Sequence, residues 1–318
     1  MVDFNIGNIK FGVDLVTFSH PDYWGVKTDD EVGVKAKNQP NQFWSKMLDD
    51  VAATGVTGIE LTFPPFDWRG ATEAFGSVDL FKQELDKRGL ILSSAFFSHF
   101  ERHPNISDPI IRATLLDEAT HYAEFLNECD ADVLVVGCPL RRSLGQSPVE
   151  AFDFDKAKEI ADFINELGIA TYKQGVRLAL HSEVSTVFAM PRDIQLLMML
   201  TDPYYVHMCP DSAHLLLAGG RPADVIAQHK ERIAISHWKD AKGLFPTDEV
   251  IDSSIHHKHR PYFCEFGKGE VAFKAWASVL LSKQENSWNI LELDASENPV
   301  ESIVHALKEV AGVIKRLD

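Results

Sequence analysis

Residues 155–181 read DKAKEIADFINELGIATYKQGVRLALH, and this segment decides the fold. Residues 155–174 carry apolar side chains at the spacing of an amphipathic helix, whereas residues 176–181 form a short apolar run that predicts a buried strand. Only Gly175 separates the two elements. Such a short connection from a helix to the next strand is typical of an α/β fold.

The same alternation continues in both directions along the chain. Strands are predicted at residues 10–16, 58–62, 91–97, 132–136, 176–181, 205–209, 232–237 and 289–293. Helices are predicted at residues 41–53, 78–88, 108–128, 155–174, from 191 onward, at 223–229 and 271–281, and after 298–299. Eight such units without a linker-like segment predict a single (β/α)8 TIM barrel over residues 1–318. An open doubly wound sheet in two domains is the alternative.

Composition and charge restrict the class of protein. The chain has 318 residues, of which 45% are hydrophobic, and a formal net charge of -16. This charge repels a phosphate backbone, so we expect neither nucleic acid nor a membrane as a partner. The start of the chain lacks a signal-peptide pattern, and no apolar stretch approaches the roughly 18 residues of a membrane span. We therefore expect a cytoplasmic protein. The four cysteines form no CxxC pair, so a disulfide framework or a cysteine-type zinc site is not expected.

Two strand-to-helix connections are long, residues 18–40 and residues 239–269. All such connections lie on the C-terminal face of a barrel, and long ordered loops are usually functional. We therefore expect the chemistry at this face. The second connection contains His256-His257-Lys258-His259, which we interpret either as a metal patch or as a solvated loop.

Imidazoles and carboxylates follow the predicted strands at this face. In chain order, these residues and their neighbouring lysine are Glu60, His99, His181, Glu183, Asp211, His214, His237, Lys239, Glu292 and Asp294. Residues two apart on a strand point to the same side, so His181 shares a face with Glu183. A single residue of this kind is more often a cap or a hydrogen-bonding partner than a ligand. Four neighbouring strands that each present one indicate a functional site.

So many carboxylates in one barrel mouth require a positive charge among them, because buried like charges repel one another. A divalent cation satisfies this requirement. Imidazoles combined with carboxylates suit Mn²⁺, which we expect, and they also suit Co²⁺, Fe²⁺, Zn²⁺ or Mg²⁺.

Five motifs, taken in order, resemble the xylose isomerase-like TIM-barrel superfamily. They are Ile59-Glu60-Leu61, Asp211-Ser212-Ala213-His214, His237-Trp238-Lys239-Asp240, Phe266-Gly267-Lys268-Gly269-Glu270-Val271 and Ile290-Leu291-Glu292. The resemblance spans nearly the whole chain. The superfamily contains sugar-phosphate isomerase/epimerase-like proteins, ketose 3-epimerases, inosose dehydratases and endonuclease IV.

The resemblance implies a metal ion held at the ends of strands five to eight, usually by Glu, Asp, His and Glu. Asp211, His237 and Glu292 match on strands six to eight. On strand five His181 stands where ketose epimerases have Glu, and Glu183 follows two residues later, so both are candidate ligands. Inosose dehydratases have a similar histidine-rich end of strand five, which favours them over a two-glutamate epimerase.

We therefore expect a divalent-metal-dependent lyase or dehydratase that acts on a keto-sugar or keto-cyclitol. A base removes the proton beside the carbonyl, a metal-stabilised enediolate forms, and a β-leaving group is eliminated. Glu183, Glu292 and His99 are the candidate bases. The residues expected to bind the substrate are Glu60, His214, Lys239, Trp24 and Asp294.

Other activities need the same site. Return of the proton to the opposite face gives a ketose epimerase, movement of the carbonyl gives an isomerase, and loss of an aglycone gives a 3-keto-glycoside deglycosidase subunit. A non-catalytic sugar-binding barrel is the alternative from another class. Endonuclease IV shares the Asp-x-x-His pattern, but the net charge argues against DNA binding. By resemblance, we expect a homo-oligomer, with a partner subunit as the alternative.

Overall fold

The structure is a computed structural model that describes residues 9–103, 105–141, 152–252, 254–282 and 287–317. Eight parallel strands form its central sheet. They are β1 (Lys10–Asp14), β2 (Gly58–Leu61), β3 (Ile91–Phe97), β4 (Val133–Gly137), β5 (Arg177–His181), β6 (Val206–Cys209), β7 (Ser236–Trp238) and β10 (Trp288–Leu291). A small antiparallel pair, β8 (Asp240–Ala241) and β9 (Phe263–Cys264), lies between β7 and β10 in the chain.

The sheet closes on itself. Its strand order is β6-β5-β4-β3-β2-β1-β10-β7. Parallel bridges between Met208 and Ile233 and between Asp211 and His237 join the two ends of this order. The ring confirms the predicted (β/α)8 barrel, and one of its closing bridges connects two residues of the predicted site.

Helices surround the ring on its outside and at its C-terminal mouth. They are α1 (Asp29–Asn38), α2 (Pro40–Thr54), α3 (Trp68–Phe75), α4 (Val78–Asp86), α5 (His99–Arg102), α6 (Pro109–Glu128), α7 (Phe154–Tyr172), α8 (Pro191–Leu200), α9 (Ser212–Leu217), α10 (Pro222–His229), α11 (Ile255–His259), α12 (Phe273–Leu281) and α13 (Pro299–Ile314). The 3₁₀ turns are Leu15–Phe18, Pro21–Trp24, Lys230–Arg232 and Arg260–Tyr262. No helix within these described ranges combines the length and apolar character of a membrane span.

Local sequence explains several helix ends. The Asp108 side chain accepts a hydrogen bond from the amide of Ile110, and Pro109 occupies the first turn, as the sequence predicts. Gly55 ends α2 in the left-handed conformation (φ 88°), which glycine adopts without a steric penalty. The predicted long loop at 18–40 is instead largely helical, since it contains the turn Pro21–Trp24 and α1.

The apolar core has two layers. Small and branched side chains, among them Val135, Ala179 and Ile290, fill the interior of the ring. Large aromatic side chains such as Trp238 and Trp276 pack between the ring and the helices. Because side chains alternate along a strand, the packing of Trp238 outside the ring points its neighbour His237 into the barrel. The four cysteines are free.

Candidate metal centre

Four side chains from consecutive barrel strands converge at the C-terminal mouth. His181 ends β5, Asp211 follows β6, His237 lies on β7 and Glu292 follows β10. One nitrogen or oxygen atom from each residue lies within 4.8 Å of the corresponding atoms of the other three. The structure therefore brings together the predicted ligands from strands six to eight with His181 on strand five.

Several atoms of this group lack a hydrogen-bond partner among the described residues. They are both ring nitrogens of His181, Oδ2 of Asp211 and Nε2 of His237. His181 Nε2 and Asp211 Oδ2 are 3.9 Å apart, a spacing that admits a cation bound to both at about 2.1 Å. A buried polar atom without a partner is destabilising by about 1–3 kcal/mol. Two imidazoles and two carboxylates are a donor set that fits a divalent transition metal.

Asp211 serves two purposes at the start of α9. Its Oδ1 accepts a hydrogen bond from the amide of His214 at 2.8 Å, which caps the helix. Its Oδ2 remains directed at the group of four. The capping and ligand functions that the sequence suggested as alternatives are thus compatible in one side chain.

His237 is held from both sides. Its Nδ1 lies 2.7 Å from Oε2 of Glu292, and its Nε2 lies 2.8 Å from Oε1 of Glu60. The other oxygen of Glu60 accepts a hydrogen bond of 2.5 Å from Ser94 Oγ. A carboxylate behind a ligating imidazole is common in metal sites, where it fixes the orientation of the ring. Glu60, predicted to bind substrate, is therefore placed against His237.

Lys239 is fully enclosed, with a side chain only 1% exposed. Its Nζ lies 2.6 Å from Oε1 of Glu292, also contacts Asp294, and sits 3.9 Å from the centre of the Phe263 ring. Burial alone would lower the pKa of Lys239, but Asp294 and Glu292 outweigh it and raise that pKa. For Asp294 burial has the opposite effect and raises the pKa of the carboxyl group to about 6. The ammonium group compensates two carboxylates in the mouth.

Glu183 lies beside the group of four. Its Oε2 is 3.6 Å from His181 Nδ1, and its Oε1 is 3.1 Å from Nδ1 of His256. Burial would raise the pKa of Glu183, but the His181 and His256 imidazoles hold it well below its usual range. Glu183 is therefore an ionised carboxylate at the edge of the centre. Sequence reasoning did not assign His256 or its second partner, Glu101, to the site.

His214 lines the same mouth. Its ring centre is 5.6 Å from that of His181, and its Nδ1 accepts a hydrogen bond from the amide of Val184. Burial lowers the pKa of His214 to about 4, so the ring is neutral at physiological pH.

Two predicted site residues lie elsewhere. The His99 ring stacks on Phe97, which faces the helices, whereas Phe96 faces the barrel and contacts His181. Trp24 is 3% exposed, stacks on Phe43, and donates its indole N–H to the carbonyl of Phe18. The structure brings neither residue to the centre, because His99 begins α5 with its ring against Phe97 and the turn Pro21–Trp24 folds Trp24 into the core.

Asp240 of the His-x-x-Asp motif shapes a turn. Its Oδ2 accepts hydrogen bonds from the amides of Gly267 (2.9 Å) and Gly269 (2.8 Å). A Cβ at Gly269 would lie 2.0 Å from Asp240 Oδ1, so only glycine fits there. The glycines of this turn therefore serve local packing.

Comparisons with known proteins agree with the barrel fold. The model of the family described as xylose isomerase-like TIM barrel matches residues 48–315. An inosose dehydratase from Bacillus cereus (strain AH820) is 25% identical over 324 residues, which covers 96% of this chain and 97% of the relative.

Two solved structures are similar to the chain. The IolI protein with a bound zinc atom has a TM-score of 0.70 at 14% identity, covering 98% of this chain and 99% of its own. An L-ribulose 3-epimerase has a TM-score of 0.69 at 12% identity, covering 97% of this chain and 95% of its own. At these identities both likenesses show the fold.

Proposed function

Because the chain belongs to the xylose isomerase-like TIM barrel family, we propose that it is a divalent-metal-dependent lyase acting on a keto-sugar or keto-cyclitol. The observation that carries the proposal is the convergence of four side chains, His181, Asp211, His237 and Glu292. Several nitrogen and oxygen atoms of this group are buried and have no hydrogen-bond partner among the described residues. The relatives named inosose dehydratase confirm the expectation of an enzyme and support the lyase outcome.

The four converging residues would hold the cation. When bound, a divalent metal supplies Lewis acidity that polarises a substrate carbonyl. Mn²⁺ stays our prediction for the natural ion, and the zinc atom of the IolI protein shows that a fold of this kind accommodates a divalent metal.

Glu183 is the proposed base that removes the proton beside the carbonyl. It is ionised and adjoins the centre through His181. Glu292, a second predicted base, is already engaged by His237 and Lys239. His99, the third, faces away from the mouth. A positioned base of this kind typically contributes about 10² to 10⁴-fold to the rate.

The remaining polar side chains of the mouth would bind the hydroxyl groups of the substrate. We assign His214, Lys239 and Asp294 to this role, since all three surround the centre. We assign Glu60 to the support of His237 and Trp24 to packing.

Proton NMR in D₂O tests the proposal. Mn²⁺-loaded protein is mixed with inososes, free ketohexoses and 3-keto-glucosides, and deuterium incorporation beside the carbonyl is followed together with the products. The proposal expects exchange and an elimination product. Exchange with an epimer or an isomer as product would replace the lyase by an epimerase or isomerase. Absence of exchange in a sample shown to contain metal would refute the proposal.

Asp211→Asn is the matched control for this experiment. The amide oxygen of Asn still caps α9, whereas the charged Oδ2 ligand is removed. We expect this variant to fold, to bind metal weakly and to show no exchange.

A further inference from the structure

His256 joins two walls of the barrel mouth. It lies on α11, within residues 242–252 and 254–262, which we call the excursion because they connect β8 and β9. Its Nε2 is 2.8 Å from Oε1 of Glu101, which follows β3. Its Nδ1 is 3.1 Å from Oε1 of Glu183, which follows β5.

Both ring nitrogens of His256 face carboxylate oxygens. A carboxylate only accepts hydrogen bonds, so each nitrogen carries a proton and the ring is an imidazolium. Glu101 and Glu183 are 9% and 7% exposed, and two buried carboxylates repel each other without a cation between them. His256 supplies this cation while 48% of its side chain stays exposed at the rim of the mouth.

The spacing separates this cluster from the metal centre. The contacts of 2.8 and 3.1 Å are direct ion-pair contacts, and each nitrogen of the His256 ring lies beside a carboxylate oxygen. At the metal centre, by contrast, His181 Nε2 and Asp211 Oδ2 are 3.9 Å apart and unsatisfied. His259, the buried histidine of the tract, has its Nε2 within 3.1 Å of Ser185 Oγ.

We propose that Glu101 and His256 are positioning residues for Glu183: Glu101 fixes the His256 ring, and His256 aims the Glu183 carboxylate at the centre. The arrangement follows the general pattern in which one group orients a histidine and the histidine orients the reacting group. The inference rests on the proposed function, in which Glu183 is the base. It makes the excursion a part of the site.

Two amide substitutions distinguish the two contacts of His256. The side-chain amide of His256→Asn stands near the position of Nδ1 and retains a donor toward Glu183. The longer His256→Gln places its amide near the position of Nε2, so the donor toward Glu183 is lost. We expect kcat for deuterium exchange to fall about 10²-fold in His256→Gln with KM unchanged, and less than tenfold in His256→Asn. His257→Ala, exposed on the same helix, is the control and keeps the wild-type rate.

A double variant tests whether the two residues act together. Residues that act as a unit are not additive, so Glu101→Gln combined with His256→Gln should be no slower than His256→Gln alone. Isothermal titration with Mn²⁺ should give one ion per chain in the wild type and in all His256 variants.

Several results would overturn the inference. They are a wild-type exchange rate in His256→Gln, equal losses in the Asn and Gln variants, or a second bound Mn²⁺ that disappears in His256→Ala. Crystal structures decide the inference independently of activity: the Glu183 carboxylate should turn away from His181 in His256→Gln and stay in place in His256→Asn. An unmoved carboxylate in His256→Gln refutes the positioning role, whereas a wild type without any exchange refutes only the proposed function.

Discussion

The Nε2 atom of His237 lies 2.8 Å from Oε1 of Glu60, and Ser94 donates a hydrogen bond to the other oxygen of that carboxylate. The Nδ1 atom of the same ring lies 2.7 Å from Oε2 of Glu292, so two carboxylates flank the imidazole. A carboxylate beside a ligating imidazole helps to fix the orientation of the ring. Glu60 therefore belongs to the centre through His237.

Substitution of Glu60 should weaken metal binding. Glu60→Ala removes the partner of His237 Nε2, and we expect the Kd of the apo-protein for Mn²⁺ to rise about 10 to 100-fold. Glu60→Gln keeps an accepting oxygen and should have a smaller effect. Isothermal titration measures both, with the exposed Glu73→Gln as the control. Wild-type affinity in Glu60→Ala would show that Glu60 does not support the ligand.

Replacement of Lys239 should destabilise the fold as well as the site. Lys239→Met leaves Glu292 and Asp294 buried without their cation. Removal of one partner from a buried ion pair lowers the free energy of unfolding by about 3–5 kcal/mol. Urea denaturation followed by circular dichroism measures the change. Lys268→Met, at an exposed lysine, should change it by less than about 0.5 kcal/mol. Equal stability of the two variants would contradict the prediction.

Gly269→Ala should disrupt the turn held by Asp240. The new methyl group would lie 2.0 Å from Asp240 Oδ1 and 2.5 Å from the carbonyl oxygen of Ala241, so the backbone must shift. We expect a loss of about 1–3 kcal/mol in thermal or urea unfolding. Gly33→Ala is the matched control, because its Cβ meets nothing within 4 Å in α1 and alanine favours a helix. That control should be neutral or slightly more stable.

His259 should make the protein acid-sensitive. Burial lowers the pKa of His259 to about 3, whereas an unfolded histidine titrates near 6.5. Below pH 6.5 the His259 imidazole therefore binds a proton in the unfolded chain but stays neutral in the folded chain. The stability that the neutral ring contributes is complete above about pH 6.5 and is lost as the pH falls toward 3. The titratable groups that face the ring are His214, Glu183, His256 and Lys239.

Thermal melts between pH 7.5 and 4.5 measure this effect. His259→Gln retains a polar side chain opposite Ser185 but does not titrate, so its Tm should decline less steeply with falling pH than that of the wild type. His257→Gln, exposed on the same helix, should keep the wild-type slope. Parallel declines in all three proteins would contradict the assignment.

The barrel is predictable because strong local patterns specify its units. The predicted strand at residues 91–97 coincides with β3, and Asp108 with Pro109 marks the start of α6. Strand seven was displaced: residues 232–237 were predicted, but the turn Lys230–Arg232 takes up the beginning, and β7 is Ser236–Trp238. Helix α1 was missed because its sequence is largely polar and buries only two apolar side chains.

The centre follows from the same regularity. Polar residues at the ends of four neighbouring strands predicted a cluster in the barrel mouth, and the family resemblance implied Asp211, His237 and Glu292 as ligands with His181 and Glu183 as candidates on strand five. The structure places His181, Asp211, His237 and Glu292 within 4.8 Å of one another. The contact of His256 with Glu101 was beyond local reasoning, since it joins residues far apart in the chain through tertiary folding. The homo-oligomeric state and the cytoplasmic location stay predictions.

The turn held by Asp240 fastens the base of the excursion. The Asp240 carboxylate accepts hydrogen bonds from the amides of Gly267 and Gly269, and β8 pairs with β9. The two ends of the excursion are therefore fixed to each other. Doubling the length of a loop with fixed ends changes its closure free energy by only about 0.6 kcal/mol. Evolution can therefore lengthen, shorten or replace this segment without rebuilding the metal ligands. A change in the length of this segment leaves the ligands at the strand ends in place, whereas it moves His256 and, through that contact, the Glu183 carboxylate.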